Sequence, residues 1–237
     1  MKAFERTLKA LTRPRTGGVL VLVLFIILSL PAAAGKHSVV PLSKLADPGA
    51  PTLGPSSAKA VIVEFSDFQC PYCSLMAKTI EELTAKYPDQ LRVVFMDRPL
   101  VEKMDDGISF HAYSELAHEA GAEAQVQGKF WEMEKWIFQR QEALFTRTRP
   151  GSEADLAGQL AELQAQLVKA GEELGLDATQ MQAALDDHRH QKTIAQRLQK
   201  AQDLEINGTP TVFVNGRRIE TGPEDVKKAV EKAVKKK

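Results

Sequence analysis

The sequence predicts an α/β fold in which a sandwich of strands and helices is interrupted by a long helical block. Three observations carry this. The apolar run Val61-Ile62-Val63-Glu64-Phe65 leads into Cys70-Pro71-Tyr72-Cys73 and then a helical pattern. A second apolar run, Leu91 to Met96, is followed by helical periodicity through residues 101–200. The chain then returns to β structure, where Thr211–Val214 and Arg217–Glu220 flank Asn215-Gly216, a strong hairpin signal.

Residues 1–34 read as a signal peptide. Lys2, Arg6, Lys9, Arg13 and Arg15 precede the apolar run Val19 to Leu30, and Ala32-Ala33-Ala34 offers a cleavage site after Ala34. The run is short for a spanning helix, which needs about 20 residues. Counted from Gly17 through Ala34 it nears that length, so an uncleaved anchor is the alternative. No cysteine follows the run, which excludes a lipoprotein anchor. Either way the cysteines are delivered to an oxidising, periplasmic or extracytoplasmic compartment, where disulfides persist.

Composition limits the partners. The chain has 237 residues and zero formal charge, and without residues 1–34 it carries a small negative excess. No surface basic enough for nucleic acid is predicted. Residues 35–58, rich in Pro, Gly and Ser, read as a linker with an edge strand near Pro51-Thr52-Leu53.

The fold begins near residue 59. Val61–Phe65 is too apolar for a half-exposed strand and reads as central, covered on both faces. Glu64 is the odd residue there. A buried carboxylate costs several kcal/mol unless paired or protonated. Burial would raise its pKa and suit it to carry a proton for Cys73. Its plain alternative is an outward-facing or edge position.

Cys70 and Cys73 are the chain's only cysteines. At i and i+3 on one helical turn they face the same way, near enough for a disulfide. Pro71 suits the first helical position, where its missing N–H costs nothing. Cys70 then stands at the helix N-terminus, where unpaired N–H groups and the macrodipole favour a thiolate. A purely structural disulfide is disfavoured, because so short a loop removes little chain entropy.

The helix opened by Pro71 stops near Tyr87-Pro88. Residues 107–127 read as one helix, or two if Gly121 breaks it. Phe130 to Phe138 follows with an aromatic face, and Trp131 and Trp136 read as core. Ser152 caps a helix whose Leu156, Leu160, Leu163 and Leu167 form a stripe folded against the domain, with a dimer seam as the alternative. Shorter helices follow Gly175-Leu176-Asp177 and run from Thr193 to Leu204. A last one opens at Gly222-Pro223 and ends in lysines, as the helix dipole prefers.

A metal site is the competing class. Zinc takes four ligands, and a single CxxC supplies two. His188 and His190 lie in a polar stretch that reads as a solvated turn, and His111 and His118 would share a helical face. A metal-binding or copper-delivery module is the alternative on that basis.

With these elements in place the chain resembles the DsbA-like branch of the thioredoxin superfamily, bacterial thiol–disulfide oxidoreductases with a helical domain inserted into a thioredoxin fold. The resemblance rests on Glu64 through Cys73, on Gln127-Gly128-Lys129-Phe130-Trp131-Glu132-Met133 and on Asn207-Gly208-Thr209-Pro210-Thr211. It implies a thioredoxin fold built from residues 59–100 and 201–237, with 101–200 as the helical insertion between the second strand and the hairpin. It implies that Cys70 is the attacking, surface-exposed cysteine and Cys73 the buried partner. Thr209 and Pro210 would be the cis-proline pair that aligns an extended substrate chain, and Glu64 the buried acid. Pro71, Tyr72 and Phe68 are expected to line the site.

No cofactor is implied beyond the redox-active Cys70–Cys73 disulfide. The implied partners are unfolded or reduced substrate proteins and a membrane redox partner, either a quinone-linked oxidase or a reducing thiol donor. Some relatives carry a second, structural disulfide, for which this chain has no cysteines. The Pro-Tyr between the cysteines also occurs in glutaredoxins. The direction therefore stays open: oxidase first, reductase or isomerase as the alternative.

Overall fold

A computed structural model describes residues 39–105, 107–145, 150–220 and 222–236. The expected signal peptide at 1–34 lies outside the described residues. In chain order the elements are α1 (Leu42–Leu45), β1 (Thr52–Leu53), β2 (Ala60–Ser66), α2 (Pro71–Lys86) and β3 (Leu91–Asp97). Six helices follow: α3 (Ser114–Val126), α4 (Phe130–Gln139), α5 (Gln141–Phe145), α6 (Glu153–Glu173), α7 (Ala178–Asp186) and α8 (Gln191–Asp203). The chain ends with β4 (Thr211–Val214), β5 (Arg217–Ile219) and α9 (Pro223–Val234).

The strands form one mixed sheet in the order β1-β3-β2-β4-β5. β2 is its centre, parallel to β3 from Ala60↔Leu91 to Ser66↔Asp97 and antiparallel to β4 from Ile62↔Val214 to Phe65↔Thr211. The parallel pair needs a crossover, and α2 supplies it. The β4–β5 hairpin turns at Asn215 and Gly216, with φ of 48° and 76°. That is the left-handed pair a two-residue turn requires.

Alternation along β2 sorts the two faces. Ala60 and Ile62 pack with Met76, Ile80 and Leu83 of α2 and Val226, Val230 and Val234 of α9. Val63 and Phe65 pack on the other side with Phe213, Leu45 and Ile206. Glu64 therefore lies on the face that α2 covers, beside its register partners Phe95 and Val212.

Two expectations for the chain outside the sheet change. The stretch at 35–58 is tied down from Val39 onward: Leu45 is fully buried, Val40 N donates to Gly216 O (2.8 Å), and β1 pairs with β3. Its prolines limit element length without preventing packing. The helix expected at 107–127 begins only at Ser114, because the backbone ahead of it bonds across its own loop. Met104 N donates to Ile108 O (3.0 Å) and Phe110 N to Glu102 O (3.0 Å). Gly121 does not break this helix; a Cβ there would stand 3.1 Å from Phe68 Cε2, so the ring fills the space a side chain would take.

The helical block has its own core, where Phe68 and Phe95 meet Phe130, Met133, Ile137 and Phe138 of α4 and Leu163 and Leu167 of α6. Leu156 and Leu160 pack at its edge, so the leucine stripe faces this core. Ser152 caps α6 by accepting from Asp155 N (3.1 Å). A buried polar network ties block to sheet: Asp97, at the end of β3, accepts from His118 Nδ1 (2.6 Å) and from Arg197 Nη1.

Candidate active site

β2 ends at Ser66, and the chain turns through Asp67, Phe68 and Gln69 into α2. Cys70 is the N-cap of that helix, with extended backbone (φ −75°, ψ 120°), and Pro71 takes the first helical position. Cys73 N and Ser74 N both donate to Cys70 O, at 3.0 and 3.3 Å. From α5, Gln141 Nε2 donates to the carbonyls of Phe68 and Cys70, each at 2.8 Å. The loop is therefore held from the helical block as well as from the sheet.

Thr209-Pro210, joined by a cis peptide bond, comes from the loop before β4. It stands opposite the cysteines, and Cys70 Sγ lies 3.4 Å from Thr209 O. The two cysteines are free thiols. Cys73 is fully buried and Cys70 is 4% exposed. This corrects the expectation of a surface-exposed Cys70: the thiol is tucked beneath Thr209-Pro210, and the exposed residues at the helix tip are Pro71, Tyr72 and Leu75. Grooves open on either side of it. One, of about 310 Å³ and largely apolar, is lined by Tyr72, Leu75, Thr209, Pro210 and Ile219. The other is more polar, about 510 Å³, and is lined by Gln69, Pro71, His111 and Gln141.

Phe68 is also corrected. Its ring does not line the site but turns into the helical block, stacked on Phe95 (5.3 Å between centroids) and packed on Phe138 and His118. An aromatic ring gains more from burial there than at a polar loop surface. What Phe68 gives the site is its carbonyl.

The electrostatics divide the two thiols. The Cys70 thiol is pushed down to about 6, first by a hydrogen bond from the Cys73 thiol, with desolvation opposing, and then by Thr209 and the backbone N–H groups of Cys73 and Tyr72. Cys73 is pushed up, by burial first, then by its donation to Cys70 and the charge of Glu64. One sulfur ionises readily; the other holds its proton. Glu64 is buried, accepts from Ser66 Oγ (2.9 Å), and is raised to about 7 by desolvation, against that hydrogen bond and with the Cys70 charge adding to the rise.

Asp67 is a site residue that sequence reasoning did not single out. It is fully buried and accepts from Gln69 N (2.7 Å), Leu100 N (2.7 Å), His111 Nδ1 (2.9 Å) and Ser114 Oγ (2.6 Å). Its own N–H reaches Cys73 Sγ at 3.4 Å. Only an acid between Ser66 and Phe68, three before Cys70, hints at this in the sequence. Burial pushes Asp67 up, but the hydrogen bond and charge of His111, the charge of His118 and the bond from Ser114 outweigh it and hold the carboxyl below the usual range.

The histidines weighed as metal ligands are spread over separate carboxylates. His111 bonds Asp67, and it precedes α3, so it shares no helical face with His118, which bonds Asp97. His188 and His190 are not simply solvated: they reach Glu119 (3.0 Å) and Glu123 (2.7 Å) on α3.

Comparison with known proteins agrees with this architecture. Residues 46–232 match the family described as Thioredoxin. Oxidised BdbD from Bacillus subtilis has a similar fold, with a TM-score of 0.63 at 21% identity over 85% of this chain and 97% of that one. A thioredoxin-like oxidoreductase from Silicibacter pomeroyi superposes with a TM-score of 0.60 at 24% identity, over 84% of this chain and all of that one. In sequence, the chain is 34% identical over 165 residues to the Na(+)/H(+) antiporter NhaA 3 of Salinispora tropica, which is 70% of this chain but 21% of the antiporter. The chain thus spans about a fifth of the length of the curated relatives it matches. By its matched residues the chain belongs to the thioredoxin family, and in its fold helices are inserted between β3 and β4.

Proposed function

We propose that this chain is an exported thiol–disulfide oxidoreductase that introduces disulfides into other proteins by exchange at Cys70 and Cys73. The observation that carries the reading is the placement of the Cys70 sulfur at the N-terminus of α2, 3.4 Å from Thr209 O, with the protonated Cys73 one turn inside. Starting from the oxidised pair, a substrate thiolate attacks Cys70 Sγ, the Cys70–Cys73 bond breaks, and Cys73 leaves, taking a proton held by Glu64. A second substrate thiolate attacks the substrate sulfur of the mixed disulfide, and Cys70 departs as a thiolate. Two electrons pass from the substrate dithiol to the pair.

Stabilising the Cys70 thiolate makes it a better leaving group and the pair a stronger oxidant. This favours oxidase over reductase or isomerase. An extended substrate chain would lie along Thr209-Pro210 with apolar side chains in the groove beside Tyr72 and Leu75. Reoxidation is assigned to a membrane redox partner, and the location to the periplasm or outside the cytoplasm. The antiporter activity of the sequence relatives is not part of this reading; no described helix is long and apolar enough to cross a membrane.

The test is equilibration with glutathione together with oxidation of a reduced, unfolded protein. The expected potential lies well above the about −270 mV of thioredoxin, towards the about −120 mV of DsbA. A value at the thioredoxin end moves the assignment to reductase. No exchange at all removes the oxidoreductase reading.

A further inference from the structure

The polar groove beside Pro71 does not end at the active site. It shares Ser74, Lys78, Phe138 and Gln139 with a second, more apolar cavity of about 190 Å³ that continues between α2 and α4. Helical spacing brings the walls of this cavity together. Ser74, Ala77 and Glu81 recur at three and four along α2, as do Trp131, Glu134 and Phe138 along α4. Ser74 Oγ donates to Phe138 O (3.3 Å), which ties the two helices where the two spaces meet.

The cavity joins an apolar wall to one unpartnered polar group. Ala77, Ile80 and Phe138 supply the wall, with Trp131, whose ring stands edge-on to Phe130 at 5.2 Å between centroids. Leu53 of β1, still 39% exposed, adds to it. Glu81 and Lys135 engage each other across the two helices. Glu134 is left over: among the described residues no hydrogen bond reaches its carboxyl. An apolar cavity of about 150 Å³ takes up benzene, so a phenol ring fits here. Tyrosine couples such a ring to a hydrogen-bond donor at its tip. A carboxyl group offers that donor an acceptor in either protonation state.

The reach from the sulfur is short. At 1.5 Å per residue, Ala77 stands about 10 Å along α2 from Cys70. An extended chain covers that distance in about three to four residues. We propose that the space between α2 and α4 is a specificity site for the substrate polypeptide. It takes a tyrosine about three to four residues from the reacting cysteine, its ring against Trp131 and Phe138 and its hydroxyl donating to Glu134. The inference rests on the thiol–disulfide reading and names a substrate feature within it. The groove beside Thr209-Pro210 holds the chain on one side of the cysteine, and this one holds it on the other.

The test uses the oxidised full chain and peptides with one cysteine and, four residues before or after it, Tyr, Phe or Ser. The peptide thiolate attacks Cys70 Sγ, the Cys70–Cys73 bond opens, and the mixed disulfide is quantified by mass spectrometry after acid quenching. Each rate is divided by the rate of the same protein with glutathione, which is too short to reach the cavity. In wild type, Phe should exceed Ser by about tenfold through ring burial, and Tyr should exceed Phe by about threefold to tenfold through the hydrogen bond. The gain should appear in the half-saturating peptide concentration and not in the limiting rate, because the contact is remote from the sulfurs. Glu134→Gln keeps an acceptor and should retain the Tyr preference, whereas Glu134→Leu should erase it. Ala77→Phe should fill the space and erase both preferences; if it fails to fold, the wild-type series and the two Glu134 variants decide. Equal rates for the three peptides overturn this inference alone, as does a Tyr preference that survives Glu134→Leu. An oligomer that Ala77→Phe breaks in sedimentation gives the groove to a second copy and overturns it too. A wild-type chain that forms no mixed disulfide with glutathione overturns the reading beneath it.

Discussion

The Cys70 sulfur lies 3.4 Å from the carbonyl oxygen of Thr209, joining the tip of α2 to a loop 139 residues away in sequence. The Thr209 hydroxyl is buried, and its hydrogen bond favours ionisation of Cys70. Thr209→Val keeps the shape and removes that hydroxyl. A lost hydrogen bond of about 1 kcal/mol corresponds to a rise of roughly half to one unit in the Cys70 pKa, from its value of about 6. The pair should become less oxidising in step. Titration of thiolate absorbance checks this, and an unchanged midpoint would mean the hydroxyl does not act on the sulfur.

The proposed order of reaction gives each cysteine its own prediction. Cys73 is fully buried, whereas Cys70, 4% exposed, is followed by Pro71 and Tyr72, each of which lines one of the two grooves. Cys70→Ser should abolish exchange. Cys73→Ser should instead accumulate mixed disulfides with substrate, visible as reducible adducts by mass spectrometry. Adducts from Cys70→Ser and none from Cys73→Ser would reverse the roles.

Ionising the buried Glu64 costs stability. Its folded pKa of about 7 lies above its ordinary value of 4.5. For an acid raised on folding, the stability contribution is complete below the ordinary pKa and is lost as pH rises through the folded one. Glu64→Gln should therefore stabilise the protein by about 2–3 kcal/mol at pH 8 and change little at pH 4. It should also slow resolution by Cys73. Urea unfolding at both pH values measures the first effect. Equal stabilisation at the two would show that the carboxylate is not buried in solution.

The sheet, the Cys-bearing helix and the hairpin were legible because each is written in local pattern: an apolar run, Pro71 after Cys70, Asn215-Gly216 between strands. The burial of Glu64 followed from its neighbours in Val61–Phe65. What the sequence could not show was every contact made between distant segments. Nothing near Asp67 announces that His111 and Ser114 would close on it, and nothing near Cys70 announces Gln141. Phe68 was misplaced for the same reason, since its ring is claimed by Phe95 and Phe138 from other elements. His188 and His190 read as solvated because their carboxylate partners lie on α3, far back in the chain.

Asp67 joins the active-site loop to the helical block, so its charge should control both stability and reactivity. Four donors converge on its buried carboxylate, and its backbone N–H meets Cys73 Sγ. Asp67→Asn leaves one accepting oxygen and sets an amide N–H₂ against groups that themselves donate. The expected loss is about 2–4 kcal/mol at pH 7, the range for an unsatisfied buried network around a removed charge. The sign with pH is opposite to that of Glu64. Asp67 is held below its ordinary value of 3.8, so its contribution is present above that pH and is lost as pH falls through the folded pKa. Wild type and Asp67→Asn should thus converge in acid, and His111→Ala should reproduce part of the loss at pH 7. Because the loop also positions Cys73, resolution of mixed disulfides should slow in both variants. Urea unfolding at pH 7 and at pH 3 decides it: a stability gap that stays constant between them would show that packing of the loop, and not the Asp67 charge, holds it to the helical block.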